Sequence, residues 1–143
     1  MRYAAVAQGG SNISPALTIA NVPTDTAYLA IVMDDDTPPC GTGTSACVHW
    51  GVFNLLANKT SIAENENLGA LPGVVLGQNY SGSVGYAGPN PPNAHHVYTL
   101  TVYALNASAT PVAATPMMTR AQFQATYANS IVSKATITGK FPN

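Results

Sequence analysis

The chain has 143 residues, with five basic and six acidic side chains, a net charge of -1 and a charged fraction of 8%. So few charges exclude partners that are recognised by bulk charge, such as nucleic acid or an anionic membrane surface. No apolar run approaches the roughly 20 residues that a membrane-spanning helix needs. The length suits a single domain over residues 1–143 with one core.

Five segments predict β-strands, because they are rich in β-branched and aromatic residues and are separated by Gly, Pro and Asn. They are residues 16–20, 27–33, 47–56, 97–105 and 131–141. The second and third are apolar on both faces, which is typical of central strands that are covered on both sides. The fourth alternates, with Tyr98 and Leu100 on one side and Thr99 and Thr101 on the other, as a half-buried strand does.

One helix is predicted late in the chain. Thr119 and Gln122 have the spacing of a capping box, and Met118 and Phe123 have the spacing of a hydrophobic staple. We therefore expect a helix that begins after Thr119 and continues through residues 121–130. Before it, residues 57–93 show no regular periodicity, and long ordered loops of this kind are usually functional.

The two cysteines, Cys40 and Cys47, leave two alternatives open. A disulfide between them would close a short loop and stabilise the fold by about 2.5 kcal/mol in the chain-entropy treatment. Two free thiols are the alternative, and the redox compartment decides between them. The low charge is typical of exported proteins, whereas the opening "MRYAAVAQGG" has no apolar signal segment. The sequence leaves localisation open between the cytoplasm and the periplasm or exterior.

Two familiar catalytic motifs are excluded. "GTGTSA", residues 41–46, has the glycine spacing of a dinucleotide fingerprint but leads into a predicted strand rather than a helix. The chain contains no Gly-x-Ser-x-Gly, so nothing predicts a serine hydrolase.

Carboxylates and histidines gather where predicted strands begin and end. "MDDDTPP", residues 33–39, follows the second strand, His49 lies inside the third, and His96 opens the fourth. An aspartate run is ordinarily a solvated turn, and a lone strand histidine is ordinarily a hydrogen-bonded core residue. Buried polar groups need partners, however, and a carboxylate on a neighbouring strand supplies one. We therefore expect His49 and one aspartate of this run to face the same cavity.

Four linked motifs follow one another through nearly the whole chain. They are "GGSNISPALTIANVPTDTAYLAIVMDDDTPP", "VHWGVFNL", "GYAGPNPPNAHHVYTLTVYAL" and "ANSIVSKATITGKF". Together they resemble the phosphatidylethanolamine-binding protein family, in particular its bacterial and archaeal Raf kinase inhibitor-like branch. The resemblance implies a mainly β fold of the β-sandwich type, with a large central antiparallel sheet, a smaller second sheet and few peripheral helices. Family members have a strand before the point that corresponds to "RYAAVAQGG", so we expect that strand to be absent or trimmed here.

The resemblance also implies a pocket for a small anion. The family's Asp-Pro-Asp-x-Pro motif falls on residues 34–38, with Asp35 in place of the usual proline, and its glycine-containing loop falls on residues 88–90. Its His-Arg-Tyr motif falls on residues 96–98, with Val97 in place of the arginine. The expected ligand-binding residues are Asp34, Asp36, His49, Gly88, His96 and Tyr98.

The expected roles in this pocket follow from the donors that each residue offers. Imidazole N–H groups and backbone amides of a glycine-rich loop donate to phosphate oxygens. Asp34 is expected to accept a hydrogen bond from an imidazole and so to fix its tautomer. Tyr98 and Trp50 either line the pocket or belong to the core. His95 matches no binding residue of the family and is expected to be exposed.

Three functions are compatible with this sequence. The preferred one is non-catalytic binding of a phosphate or phosphoethanolamine-like group, with no cofactor. A metal-dependent hydrolase-like enzyme would use Asp34, Asp36, His49 and His96 as ligands, since histidine and carboxylate suit zinc or manganese. Some relatives inhibit a kinase or a protease, so a protein-interaction module is the third, with residues 82–93 as an exposed or distinct loop.

Overall fold

The computed structural model of the protein describes residues 2–142 and is mainly β, as predicted. Its strands and its α-helix are β1 (Leu17–Thr18), β2 (Tyr28–Asp35), β3 (Cys47–Leu56), β4 (Ser61–Ile62), β5 (Val75–Leu76), β6 (His96–Leu105), α1 (Arg120–Thr126) and β7 (Ile131–Phe141). Single 3₁₀ turns occur at Val6–Gln8, Gly43–Ser45 and Leu68–Ala70. Across residues 2–142, no helix has the length and apolar character that a membrane crossing requires.

The larger sheet has five antiparallel strands in the order β5-β3-β2-β6-β7, and β1 pairs with β4 in a second sheet of two strands. The central strand is β2, which pairs with β3 on one side and with β6 on the other. The expectation of a large central sheet and a smaller second sheet is confirmed.

The core is divided by the large sheet, because successive side chains of a strand point to opposite faces. On β2, Leu29, Ile31 and Met33 pack on the face that also carries Trp50, and Ala30 and Val32 pack on the other. That second face is covered by α1, whose Phe123 ring stacks 5.7 Å from Phe53 and lies 4.7 Å from Tyr103. β2 is therefore covered on both faces and is buried from Leu29 to Asp35.

Helix α1 begins as the capping box predicts. The Thr119 hydroxyl accepts from the Gln122 backbone N–H, and the Gln122 side chain accepts from the Thr119 backbone N–H. The helix ends at Thr126 rather than near residue 130, because the N–H groups of Ser130 and Ile131 both donate to the Tyr127 carbonyl and turn the chain into β7.

The predicted strand boundaries differ from the structure in two places that matter for the site. β2 extends two residues beyond Met33 and includes Asp34 and Asp35, and β6 begins at His96. The segment 57–93 contains the two-residue strands β4 and β5, which are too short to produce periodicity. The aspartate run therefore starts inside the sheet and not in a turn.

Candidate functional site

Strand alternation separates neighbouring aspartates of the run. Asp35 points to the same face as Met33 and lies opposite Tyr98 on β6, whereas Asp34 points to the face that α1 covers. The expectation that Asp34 belongs to the pocket is therefore not met, since Asp35 occupies that position. The physical reason is the period of two along a strand, by which a shift of one residue moves a side chain to the opposite face.

Asp34 is instead tied to the start of α1. Its side chain is 1% exposed, and its two carboxylate oxygens accept from the Arg120 backbone N–H at 2.8 Å and from Arg120 Nε at 2.5 Å. Asp36 is 44% exposed and lies 3.7 Å from Arg120 Nη2. Neither carboxylate contacts a histidine among the hydrogen bonds and ion pairs of the described residues. Sequence reasoning missed Arg120, because no local pattern links it to a residue 86 positions earlier.

Asp35 and His96 form a buried pair. His96 Nδ1 lies 2.6 Å from Asp35 Oδ2, and the two side chains are 1% and 2% exposed. His96 Nε2 lies 2.8 Å from Asn93 Oδ1. The Asp35 carboxylate accepts the hydrogen bond, so this contact favours a ring that carries its proton on Nδ1. Asp35 thus performs the tautomer-fixing role that was expected of Asp34.

His49 reaches the same region through a β-bulge. β3 places Trp50 opposite Met33 and Val48 opposite Asp34, so His49 is the extra residue of the bulge. Its Nδ1 donates to the Ala87 carbonyl at 2.8 Å.

The protonation of His49 is controlled by its burial. Burial lowers the pKa of His49 below its ordinary value of 6.5. The Ala87 carbonyl and the Asp35 carboxylate have the opposite, smaller effect and raise that pKa. The ring is therefore neutral at pH 7, with Nδ1 as the donor and Nε2 left for a ligand.

These groups surround a cavity of about 300 Å³. It is lined by Asp35, Pro39, Cys40, Cys47, His49, Tyr80, Asn90, Pro92 and His96. Cys40 and Cys47 form a disulfide in its wall, which confirms the first of the two cysteine alternatives. The Asn90 amide donates to the Tyr80 hydroxyl at 3.2 Å. Sequence reasoning placed Asn90 in the glycine-containing loop but gave no role to Tyr80, which lies within the aperiodic stretch 57–93.

Gly88 supports this cavity from outside. Its N–H donates to Asn12 Oδ1 at 2.7 Å, and it is not among the lining residues. A Cβ at this position would lie 2.3 Å from the Tyr3 carbonyl oxygen, so the missing side chain allows the loop to pack on the N-terminal segment. The expectation of a Gly88 amide directed at the ligand is not met, because that amide is already bonded.

Tyr98 lies behind His49 rather than in the cavity wall. The two rings meet edge to face at 5.0 Å, and the Tyr98 hydroxyl accepts from the Asn90 N–H at 3.2 Å. Burial, followed by the nearby Asp35 charge, raises the pKa of Tyr98 well above its ordinary value of 10.0. Trp50 is a core residue, and His95 is exposed as expected.

The loop at residues 82–93 is held by hydrogen bonds at several points. The Ala87 N–H donates to the His49 carbonyl at 2.7 Å, and the Ala5 N–H donates to the Pro89 carbonyl at 3.0 Å. Val84 is an exposed apolar residue of this loop. The metal-ligand set of Asp34, Asp36, His49 and His96 does not converge, because its two aspartates face Arg120.

Comparison with known proteins identifies the family of this chain. A family model described as phosphatidylethanolamine-binding protein matches residues 2–142. The chain belongs to the phosphatidylethanolamine-binding protein family. A UPF0098 protein from Methanothermobacter thermautotrophicus is 41% identical over 99 residues, which are 68% of this chain and 63% of that protein. The UPF0098 protein YbcL from Escherichia coli is 36% identical over 109 residues, which are 72% of this chain and 58% of YbcL. The chain spans less than two thirds of the length of these curated relatives.

Solved structures of the phosphatidylethanolamine-binding protein family have the same fold. A homologue from Chlamydia trachomatis superposes with a TM-score of 0.76 at 29% identity, covering 99% of this chain and 87% of the other. Escherichia coli YbcL gives a TM-score of 0.76 at 30% identity, covering 92% and 81%. Family membership supports a ligand-binding or protein-interaction role for this chain at that general level.

Proposed function

We propose that the protein binds a small anionic group, such as a phosphate monoester, in the cavity between His49 and His96, and that it does so without catalysing a reaction. The observation that carries this proposal is the convergence of two buried histidines and one buried carboxylate on a single opening. Buried ionisable groups are costly and cluster at functional sites. Members of this family are generally non-catalytic, which agrees with the proposal.

The carboxylate in the cavity is already hydrogen-bonded. Asp35 would repel an anion if it were unpaired, but its Oδ2 lies 2.6 Å from His96 Nδ1 and accepts a hydrogen bond there. The Tyr80 hydroxyl and the Asn90 amide add neutral donors in the same wall. A small anion therefore gains hydrogen bonds there without facing an uncompensated carboxylate.

Anion binding at His49 is coupled to the uptake of one proton. With Nδ1–H held by the Ala87 carbonyl, Nε2 donates to an anion only if the ring takes up a proton. A phosphate monoester with its second pKa near 6 can instead bring that proton and donate it to Nε2. In either case the complex holds one more proton than neutral His49 and a fully ionised phosphate do.

A larger apolar groove of about 480 Å³ is a weaker candidate for this role. It is lined by Tyr98, Leu100, Ile137 and Phe141 among other residues, and it contains neither His49 nor His96. Arg2 and Lys140 also line it, but both are exposed and Arg2 lies 3.3 Å from Glu64, and its apolar walls cannot replace the hydration of a phosphate oxygen. We therefore assign the anion to the smaller cavity, which contains both buried histidines.

Calorimetric titration with inorganic phosphate at pH 6 tests the proposal. A His49→Ala, His96→Ala double variant that keeps the parent far-UV circular dichroism spectrum should lose at least tenfold in affinity, which is the scale of removing charge-assisted hydrogen bonds. His95→Ala is the matched control, because His95 is exposed and does not line the cavity, and it should bind as the parent does. Unaltered affinity in the folded double variant would contradict the proposal.

A further inference from the structure

A second set of ligand atoms surrounds the disulfide in the cavity wall. One ligand atom from each of Asp35, Cys40 and His96 lies within 4.8 Å of the other two, and Cys40 Sγ lies 3.8 Å from Asp35 Oδ2. Cys47 Sγ is bonded to Cys40 Sγ, and Cys47 is paired with Asp35 across β2 and β3, although its sulfur does not belong to that set of three atoms. This part of the cavity wall thus contains two sulfurs, one imidazole and one carboxylate.

We propose that reduction of the disulfide converts this part of the cavity wall into a binding site for Zn²⁺, with Cys40, Cys47, His96 and Asp35 as its four ligands. The proposal is independent of anion binding, although the two sites share His96 and Asp35. Zinc in structural sites takes four ligands of these types in a tetrahedral arrangement. Thiolate and imidazole select zinc over the oxygen-preferring ions Mg²⁺ and Ca²⁺.

The redox step balances with a dithiol reductant. The dithiol gives two electrons and two protons to the sulfur–sulfur bond, becomes a cyclic disulfide, and leaves Cys40 and Cys47 as thiols. Zn²⁺ then displaces the two thiol protons, since the thiolate is the ligand. In the oxidised protein the sulfurs carry no charge to offer, and only the imidazole and the carboxylate remain. Both cysteines are half-buried, so a small dithiol reaches them.

Tetrahedral geometry fits the Cys40–Asp35 and His96–Asp35 distances with small movements. With Zn–S near 2.3 Å and Zn–O near 2.1 Å, a thiolate sulfur and a carboxylate oxygen on one zinc are about 3.6 Å apart, close to the 3.8 Å between Cys40 and Asp35. A nitrogen and an oxygen ligand are about 3.4 Å apart, so His96 Nδ1 and Asp35 Oδ2 need to separate by about 0.8 Å from their present 2.6 Å. The two sulfurs separate once their bond is reduced.

The supports of this site do not depend on the disulfide. Asp35 and Cys47 are paired directly across β2 and β3, and the Cys40 N–H donates to the Thr37 carbonyl at 3.0 Å. When His96 Nδ1 binds the ion, Nε2–H donates to Asn93 Oδ1, which is already 2.8 Å away. A hydrogen-bonded second nitrogen is the usual arrangement of a zinc-binding histidine.

Cobalt titration of the reduced protein tests the proposal. Protein that is reduced with dithiothreitol and desalted without oxygen should bind one Co²⁺, give a thiolate-to-cobalt charge-transfer band, and lose that band when Zn²⁺ is added. The oxidised protein should give no band. Cys40→Ser and His96→Ala should each lower the Co²⁺ affinity of the reduced protein at least tenfold. Asn93→Ala should lower it about tenfold and should retain the band.

His95→Ala is the matched control and should titrate as the parent does, because this histidine is exposed and lies outside the set. A reduced protein that gives no charge-transfer band, whether or not it keeps its circular dichroism spectrum, overturns the proposal. An unchanged Co²⁺ affinity in His96→Ala also overturns it, because the ion would then be held without the imidazole. Since phosphate binding is measured on oxidised protein, failure of one proposal is distinguishable from failure of the other.

Discussion

Arg120→Ala should destabilise the protein without changing its affinity for phosphate. The substitution removes the guanidinium that lies 2.5 Å from Asp34 Oδ1 and leaves a carboxylate that is 1% exposed. Removing one partner of a buried ion pair costs about 3–5 kcal/mol. The Arg120 side chain is 21% exposed and the backbone N–H remains as a donor, so we expect the lower figure of about 2–3 kcal/mol.

The size of the thermal shift follows from the chain length. An unfolding entropy of about 2.1 cal/mol/K per residue gives about 0.3 kcal/mol/K for 143 residues, and a loss of about 2–3 kcal/mol then lowers Tm by about 7–10 °C. Urea unfolding at pH 7 measures the free energy directly. Arg2→Ala is the matched control, because the Arg2 side chain is 66% exposed and its pair with Glu64 should contribute less than about 1 kcal/mol. An Arg120→Ala variant as stable as Arg2→Ala, or one that loses phosphate binding, would refute the placement of Asp34 away from the cavity.

Three further predictions follow from the cavity and its supports. Affinity for a phosphate monoester should fall about tenfold per pH unit above pH 7, since burial lowers the pKa of His49 and binding takes up one proton; a flat calorimetric profile from pH 7 to 8 would oppose this. Gly88→Ala should lose about 2–3 kcal/mol in urea unfolding, because its Cβ would lie 2.3 Å from a backbone oxygen, whereas Gly139→Ala, with open space around its Cβ, should be near neutral. Replacing both Cys40 and Cys47 by serine should cost about 2.5 kcal/mol, and an unchanged Tm by calorimetry would argue against the disulfide.

The sheet could be predicted from the sequence because its strands carry their own signal. The segment 47–56 is apolar on both faces and alternation marks residues 97–105, and both match strands of the large sheet. The start of α1 was equally visible, since the capping box of Thr119 and Gln122 is a local pattern. Where burial repeats with a fixed period, local sequence and tertiary structure agree.

The choice between Asp34 and Asp35 could not be made from sequence. Three identical residues in succession carry no alternation, so the pattern does not show which carboxylate faces which side of the sheet. The answer depends on where β2 ends, and β2 includes both Asp34 and Asp35. Family resemblance located the run correctly but aligned it one residue away from the carboxylate that meets His96.

The residues that reach Asp34 and the cavity from distant segments could not be predicted for a different reason. Arg120 meets Asp34 only after α1 has packed on the sheet, and Tyr80 reaches the cavity from a stretch without periodicity. The bulge that redirects His49 arises from pairing between β2 and β3, which one strand alone does not encode. Contacts of this kind are set by tertiary packing rather than by local pattern.

A histidine-resolved NMR titration of the oxidised protein with phosphate and with phosphoethanolamine tests the central claim most directly. Binding in the cavity predicts that the imidazole resonances of His49 and His96 shift together and saturate, while those of exposed His95 stay in place. Resonances of His49 and His96 that do not move at saturating ligand, or that move no more than those of His95, would contradict the assignment of the anion to this cavity.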